Sequence, residues 1–174
     1  LEADKLNLHS QRVAPARIIC DVLSLLGHKA ERKGISLNST IDRDVPRLVM
    51  TDGDRLRQVL TNLVDNAIKF TDKGGIEVTL RRGRLGKSTL QFAVRDSGIG
   101  IPDDMRNQLF QSFSQLDNSR SRKHGGAGLG LAISAGLVAL MEGKIWVESD
   151  SSGSTFHFTI RADPVEEEED WATR

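Results

Sequence analysis

The stretch Asn62-Leu63-Val64-Asp65-Asn66-Ala67-Ile68-Lys69-Phe70-Thr71 decides the fold. It closes a longer pattern in which Leu56, Val59, Leu60, Leu63, Val64, Ala67 and Ile68 recur at helical spacing, marking one buried stripe. Asp52 precedes that pattern as an N-cap, and Gly74-Gly75 ends the unit. Asn62, Asn66 and Lys69 lie beside the stripe, and their separations of four and three residues align them along one helix face. Asparagine inside a helix costs propensity. Two of them there either cover a helix face or carry chemistry.

Outward from this helix, Pro15 opens an earlier one. Ile18, Ile19, Val22, Leu23, Leu25, Leu26 and Ala30 recur at helical spacing until Gly34. Residues 35–41 alternate as a half-buried strand, Asp42 to Pro46 is a turn, and Leu48-Val49-Met50 reads as a short strand. Residues 76–82 and 88–95 form a hairpin around a Gly-rich basic turn. Pro102-Asp103-Asp104 can start a short helix, and the polar segment 111–125 reads as a mobile loop. Gly128 to Met141 is a helix with Leu131, Ala132, Ala135, Val138 and Leu140 inward. Lys144 to Glu148 and Thr155 to Ile160 are strands around the turn Asp150-Ser151-Ser152-Gly153. Paired strands with helices between them favour a mixed sheet packed on one face by helices.

Two glycine segments add chemistry to that frame. Asp96-Ser97-Gly98-Ile99-Gly100-Ile101-Pro102 follows directly from a strand, and its glycines let backbone approach a ligand closely. A carboxylate at Asp96 can accept a hydrogen bond from the exocyclic amine of adenine, where guanine presents a carbonyl. Alone, Asp-Ser-Gly is equally a turn between elements. Gly125-Gly126-Ala127-Gly128-Leu129-Gly130-Leu131 opens a helix, where free N–H groups and the dipole favour an anion. Alone, it is a flexible lead-in to a buried helix. It is not a Walker A loop, since no Lys-Ser/Thr follows, and it lacks the Rossmann register. Mg²⁺ prefers oxygen ligands and keeps waters when it bridges phosphates, so the Asn66 amide oxygen can hold it while Lys69 meets a phosphate. Arg120, Arg122 and Lys123 precede the second glycine segment and can close on a terminal phosphate or stay solvated. Phe110 and Phe113 are placed to pin that loop's start onto the core.

Composition sets the outer bounds. The 174 residues suffice for one domain with a real core. Lys plus Arg equals Asp plus Glu at 24 each, which gives no electrostatic case for nucleic acid or a lipid surface. No apolar run approaches a membrane span. The single cysteine, Cys20, lies in an apolar stretch and is expected buried and inert. The four histidines show no metal-ligand spacing. Absence of a signal peptide before Leu1 and the uneven ends fit a piece of a longer protein, with Val165 to Asp170 as an acidic linker.

With the motifs placed, the chain resembles the catalytic, ATP-binding domain of bacterial-type sensor histidine kinases, in the wider group that includes gyrase, Hsp90 and MutL ATPases. Asn62 to Thr71 is similar to the N box, Asp96 to Gly100 to the G1 box, Leu109-Phe110-Gln111-Ser112-Phe113 to the F box, and Gly126 to Leu131 to the G2 box. All four stand in order within residues 14–161.

The resemblance implies an α/β two-layer sandwich: a mixed, mainly antiparallel sheet packed on one face by about three helices. ATP lies between helices and a lid over residues 103–125. Residues 1–13 would end a dimerisation helix and its linker, 14–162 would be the catalytic domain, and 163–174 a tail. It implies Mg²⁺ on Asn66, with Asn62, Lys69 and Arg122 near the phosphates. Asp96, Gly98, Gly100 and Ile101 would form the adenine pocket, and Gly126, Gly128, Leu129 and Gly130 the lid hinge and phosphate contacts. Thr155 would join a water bridge near adenine. Ala127 stands where many relatives carry a hydroxyl, so no such contact is implied there. The implied function is donation of the ATP γ-phosphate to a histidine on a separate dimerisation domain, with a response-regulator receiver domain downstream. The setting would be cytoplasmic, with no nucleic acid and no direct membrane contact. None of the four histidines here is followed by an acidic residue, so the acceptor is expected elsewhere. The segment 113–117 and the tail lean towards hybrid kinases. Two alternatives remain: an ATPase like gyrase, and a degenerate interaction module. The gyrase-like ATPases carry a Glu as general base one helical turn before the metal-binding Asn; here that position is Asn62, which has no basic lone pair.

Overall fold

Seven apolar residues recurring at helical spacing, from Leu56 to Ile68, do bury one side of a helix, α2, Gly53–Phe70. The computed structural model describes residues 7–111 and 129–166. Asp52 caps α2 as its sequence position requires: one carboxylate oxygen accepts the Arg55 N–H at 3.1 Å and the other accepts the His9 N–H at 2.9 Å. The earlier helix, α1, Pro15–Lys33, has proline in its first turn and stops at Gly34, whose left-handed φ of 69° turns the chain. Gly34 and Ile35 then donate to the last free carbonyls of α1, at Glu31 and Ala30. The remaining helices are α3, Asp103–Arg106, and α4, Leu129–Leu140.

The strands are β1, Gln11–Val13; β2, Ser36–Ile41; β3, Val49–Thr51; β4, Gly75–Arg82; β5, Thr89–Asp96; β6, Ile145–Asp150; β7, Gly153–Arg161; and β8, Asp163–Pro164. Five of them form a sheet in the order β2-β4-β5-β7-β6. Only the β2–β4 pairing in it is parallel, because α2 and β3 intervene and return the chain in the same direction. Alternate residues of β4, β5 and β7 point into the core, where Phe92 and Phe158 stack with centroids 4.8 Å apart. Helices α1 and α2 pack against each other, and α4 against α2, on that face. This is the expected two-layer, mainly antiparallel architecture.

Three features depart from expectation. Residues 11–13 and 163–164, read as linker and tail, are strands flanking β3 in a second, three-stranded sheet. Val165 also donates to the Leu48 carbonyl, so pairing continues past residue 162. Cys20 is exposed, because the buried stripe of α1 runs through Ile18, Ile19, Val22, Leu26 and Ala30 and turns Cys20 outward. Leu25 is 66% exposed for the same reason. On α4, Leu140 is 40% exposed, and Ser134, Leu137 and Val138 take the buried positions, with Met141 buried just past its end. The segment expected as a mobile loop lies mostly outside the described residues.

Asp52→Ala is expected to cost about 1–2 kcal/mol, since it strips the cap of α2 and leaves the His9 N–H unpaired. Asp52→Asn, which keeps an oxygen for the Arg55 N–H but turns an NH2 towards the His9 N–H, is expected to recover only part of that. Urea midpoints at unchanged slope would show it.

Candidate functional site

Asp96 is the last residue of β5, opposite Ile76 of β4 and Ser154 of β7. Its side chain is buried, and one oxygen, Oδ1, accepts the Gly98 N–H at 2.9 Å and the Ser154 N–H at 3.3 Å. Among the described residues Oδ2 accepts nothing. Burial raises the carboxyl pKa above its ordinary value, and the two N–H donors pull it back in part. Asp96 is therefore a buried carboxyl group with one oxygen unpaired among the described residues.

The glycines around it are required by contact. A Cβ on Gly98 would lie 2.5 Å from the Phe70 carbonyl, so the end of α2 closes directly on this loop. Gly100 adopts φ 75°, and a side chain there would run into the Asp150 carbonyl. Ile101 is half-buried and donates its N–H to Ser149 Oγ at 2.7 Å. On the adjoining helix α3, Arg106 binds the Ser149 carbonyl and pairs with Asp103.

Asn62 lies beside the start of α4. Its Nδ2 donates to the Gly130 carbonyl at 3.4 Å and to the buried Ser134 hydroxyl at 3.3 Å. The N-box helix and the helix after the second glycine segment are thus joined at this residue. Asn66, one turn further along α2, is half-buried and makes no side-chain hydrogen bond to a described residue. Lys69 pairs with a carboxylate on its own helix. Its ammonium lies 3.5 Å from Asp65, which also takes Lys29 at 3.0 Å.

Thr155 points away from Asp96. Strand β7 alternates, with Ser154, Phe156, Phe158 and Ile160 buried, so Thr155 faces the opposite side of the sheet. It stands there between Arg95 and Glu148, in the face where His157 meets Glu148 at 3.3 Å. The hydroxyl beside Asp96 belongs to Ser154, and the apolar alternation at 156, 158 and 160 carried that signal. Ser149 and Arg106 had no signal of their own in the sequence. Arg122, Gly126 and Gly128 lie outside the described residues, and Leu129 is placed only as the first residue of α4. Phe110 does pin its segment, packing edge-on against Phe156 at 6.2 Å; Phe113 is outside the described residues.

Residues 51–164 match the model of the histidine kinase-, DNA gyrase B- and HSP90-like ATPase family. The signal transduction histidine-protein kinase BarA of Escherichia coli strain K12 is 45% identical over 166 residues, covering 94% of this chain and 18% of BarA. The chain thus spans less than a fifth of that relative. The crystal structure of full-length ShkA in complex with AMPPNP superposes with a TM-score of 0.83 at 31% identity, covering 93% of this chain and 33% of ShkA. Histidine kinase ThkA in complex with the response regulator protein TrrA gives a TM-score of 0.72 at 28% identity, covering 88% of this chain and 42% of that one.

Asp96→Asn is expected to leave the nucleotide-free domain as stable as the parent, or more so, at neutral pH. The variant removes a buried charge while its amide oxygen still accepts both N–H groups. A carboxyl whose pKa rises on folding favours the native state when protonated. The parent therefore gains on the variant as pH falls through that raised value. Thermal melts across a pH series would show the gap closing on the acid side.

Proposed function

This chain belongs to the histidine kinase-, DNA gyrase B- and HSP90-like ATPase family, as the catalytic domain of a sensor histidine kinase, and we propose how it handles its nucleotide. ATP binds with its base against Asp96 and its phosphates between α2 and α4. The γ-phosphate is then offered to a histidine on a separate helical hairpin. The observation that carries this reading is the Asp96 Oδ2, which accepts no hydrogen bond among the described residues, while Oδ1 takes the Gly98 and Ser154 N–H groups. An exocyclic amine supplies the donor that oxygen lacks, whereas guanine would set a carbonyl against it.

The phosphate end follows from α2. The Asn66 amide makes no hydrogen bond among the described residues and fits Mg²⁺, which needs few protein ligands when phosphates and waters fill its octahedron. When bound, the ion neutralises phosphate charge during transfer. Lys69 reaches a phosphate by leaving Asp65, an exchange between two partly exposed partners that costs little. Asn62 holds the first turn of α4 where its N–H groups can meet the phosphates. Arg122 takes the basic lid position of the family motif. The domain positions and neutralises; the nucleophile and its proton acceptor come from the hairpin. A response-regulator receiver domain is the onward partner, and the work is done in the cytoplasm, where ATP is supplied. Among the described residues, no helix is long and apolar enough to cross a membrane.

The test mixes the chain with γ-labelled ATP and helical hairpins bearing a histidine. Label on the hairpin is the expected result; label released only as free phosphate would instead mark an ATPase. Asn66→Ala is expected to weaken AMPPNP binding in Mg²⁺ by about tenfold or more and to leave binding in chelator nearly unchanged. Calorimetric titration in the two buffers separates these outcomes.

A further inference from the structure

Three residues lie in one row across the sheet: Ser149 on β6 opposite Ser154 on β7, and Ser154 opposite Asp96 on β5. Side chains and backbone link that row into a chain of hydrogen bonds. Ser149 Oγ accepts the Ile101 N–H at 2.7 Å and lies 2.9 Å from Ser154 Oγ. It is also 3.1 Å from the Gly153 carbonyl, to which it can donate. If Ser149 donates there, Ser154 donates to Ser149, and every hydroxyl proton in the cluster is used. Ser154 in turn presents its N–H to Asp96 Oδ1.

The glycine loop is thus fastened at both ends. Asp96 holds its near end through Gly98, and Ser149 holds its far end through Ile101. Between them Gly100 is pressed on the Asp150 carbonyl. The Ser149 carbonyl also takes Arg106 of α3, so the same strand end anchors the chain that continues beyond the loop.

We propose that Ser149 is a positioning residue for base recognition: its hydroxyl fixes the Ile101 end of the loop and, through Ser154, the N–H that orients Asp96, leaving Oδ2 aimed at the base. This rests on Asp96 being the adenine acceptor. Ser149→Ala leaves the Ile101 N–H and the Ser154 hydroxyl without their partner, while the Arg106 contact to the backbone carbonyl survives. The loop then samples orientations in which Asp96 meets the base less well.

The experiment titrates AMPPNP and its guanine counterpart into the parent chain, Asp96→Asn, Ser149→Ala and Ser149→Thr. Glu148→Ala serves as a control on the opposite face of the same strand. Ser149→Ala is expected to lose about tenfold in AMPPNP affinity and to narrow the adenine-over-guanine preference. Ser149→Thr, which keeps the hydroxyl, is expected within about threefold of the parent, and Glu148→Ala likewise. Amide exchange at Ile101 is expected to quicken in Ser149→Ala alone. A purely structural loss would lower the melting temperature without altering base preference, and so would overturn the proposal. Equal weakening in the Ala and Thr variants overturns it too. If Asp96→Asn weakens binding and Ser149→Ala does not, the positioning role fails alone. If the parent chain binds neither nucleotide, the reading of Asp96 fails and takes this role with it.

Discussion

A buried carboxyl group with one oxygen unpaired among the described residues is the constraint from which the rest of this candidate site follows. Burial penalises the ionised form of Asp96, and among the described residues two backbone N–H groups offset part of that penalty. Both must arrive from exact neighbours in the fold. One comes from Gly98, two residues along, where the loop can turn because no Cβ blocks it against Phe70. The other comes from Ser154, which reaches Asp96 only because β7 pairs with β5 in one register. A slip of one residue would present Thr155 and send Ser154 to the outer face. The β5–β7 pairing, the stacked Phe92 and Phe158, and the glycine loop are therefore parts of one arrangement around a single charge.

Helix α2 serves the core and the site from different faces. Its apolar stripe packs on α1 and the sheet, while Asn62 reaches α4 and Asn66 lies one turn further along, beside that stripe. Its N-terminus is held by Asp52, which also gathers the His9 N–H. Its C-terminus is held by Lys33, which binds the Ile68 and Lys69 carbonyls, and the Phe70 carbonyl then abuts Gly98. Fixing both ends of α2 fixes the two asparagines relative to Asp96 without any direct bond between them.

How much of this was legible in the sequence depended on periodicity. Residues 53–70 and 15–33 were readable because apolar side chains repeat at helical spacing over several turns, and β4, β5 and β7 because they alternate. Strands β1 and β8 span Gln11–Val13 and Asp163–Pro164, too short for any period to show, and their existence depends on β3 lying between them. Cys20 looked buried because its neighbours are apolar, yet helix rotation, not local composition, decides exposure. The pairs within the site divide in the same way. Asp96, Gly98 and Gly100 were candidates by residue type, whereas Ser149 and Ser154 enter the candidate site only when β6, β7 and β5 are laid side by side. A serine near a turn has no signature until the register names its partner.

Asn62 links the fold to the kind of chemistry the site can do. Gly130 offers a carbonyl, which can only accept, so the nitrogen end of the Asn62 amide must face it. Ser134, completely buried on α4, shares that nitrogen and can itself donate or accept. A glutamate at this position has no donor for the Gly130 carbonyl when ionised. It would set negative charge against a carbonyl oxygen in a place half-closed to water. The same geometry that lets α2 grip the start of α4 thus works against a carboxylate base at residue 62. Water activation and the α2–α4 contact compete for one position, and this chain has spent it on the contact. A domain built this way offers no carboxylate at residue 62 to act as a base towards water.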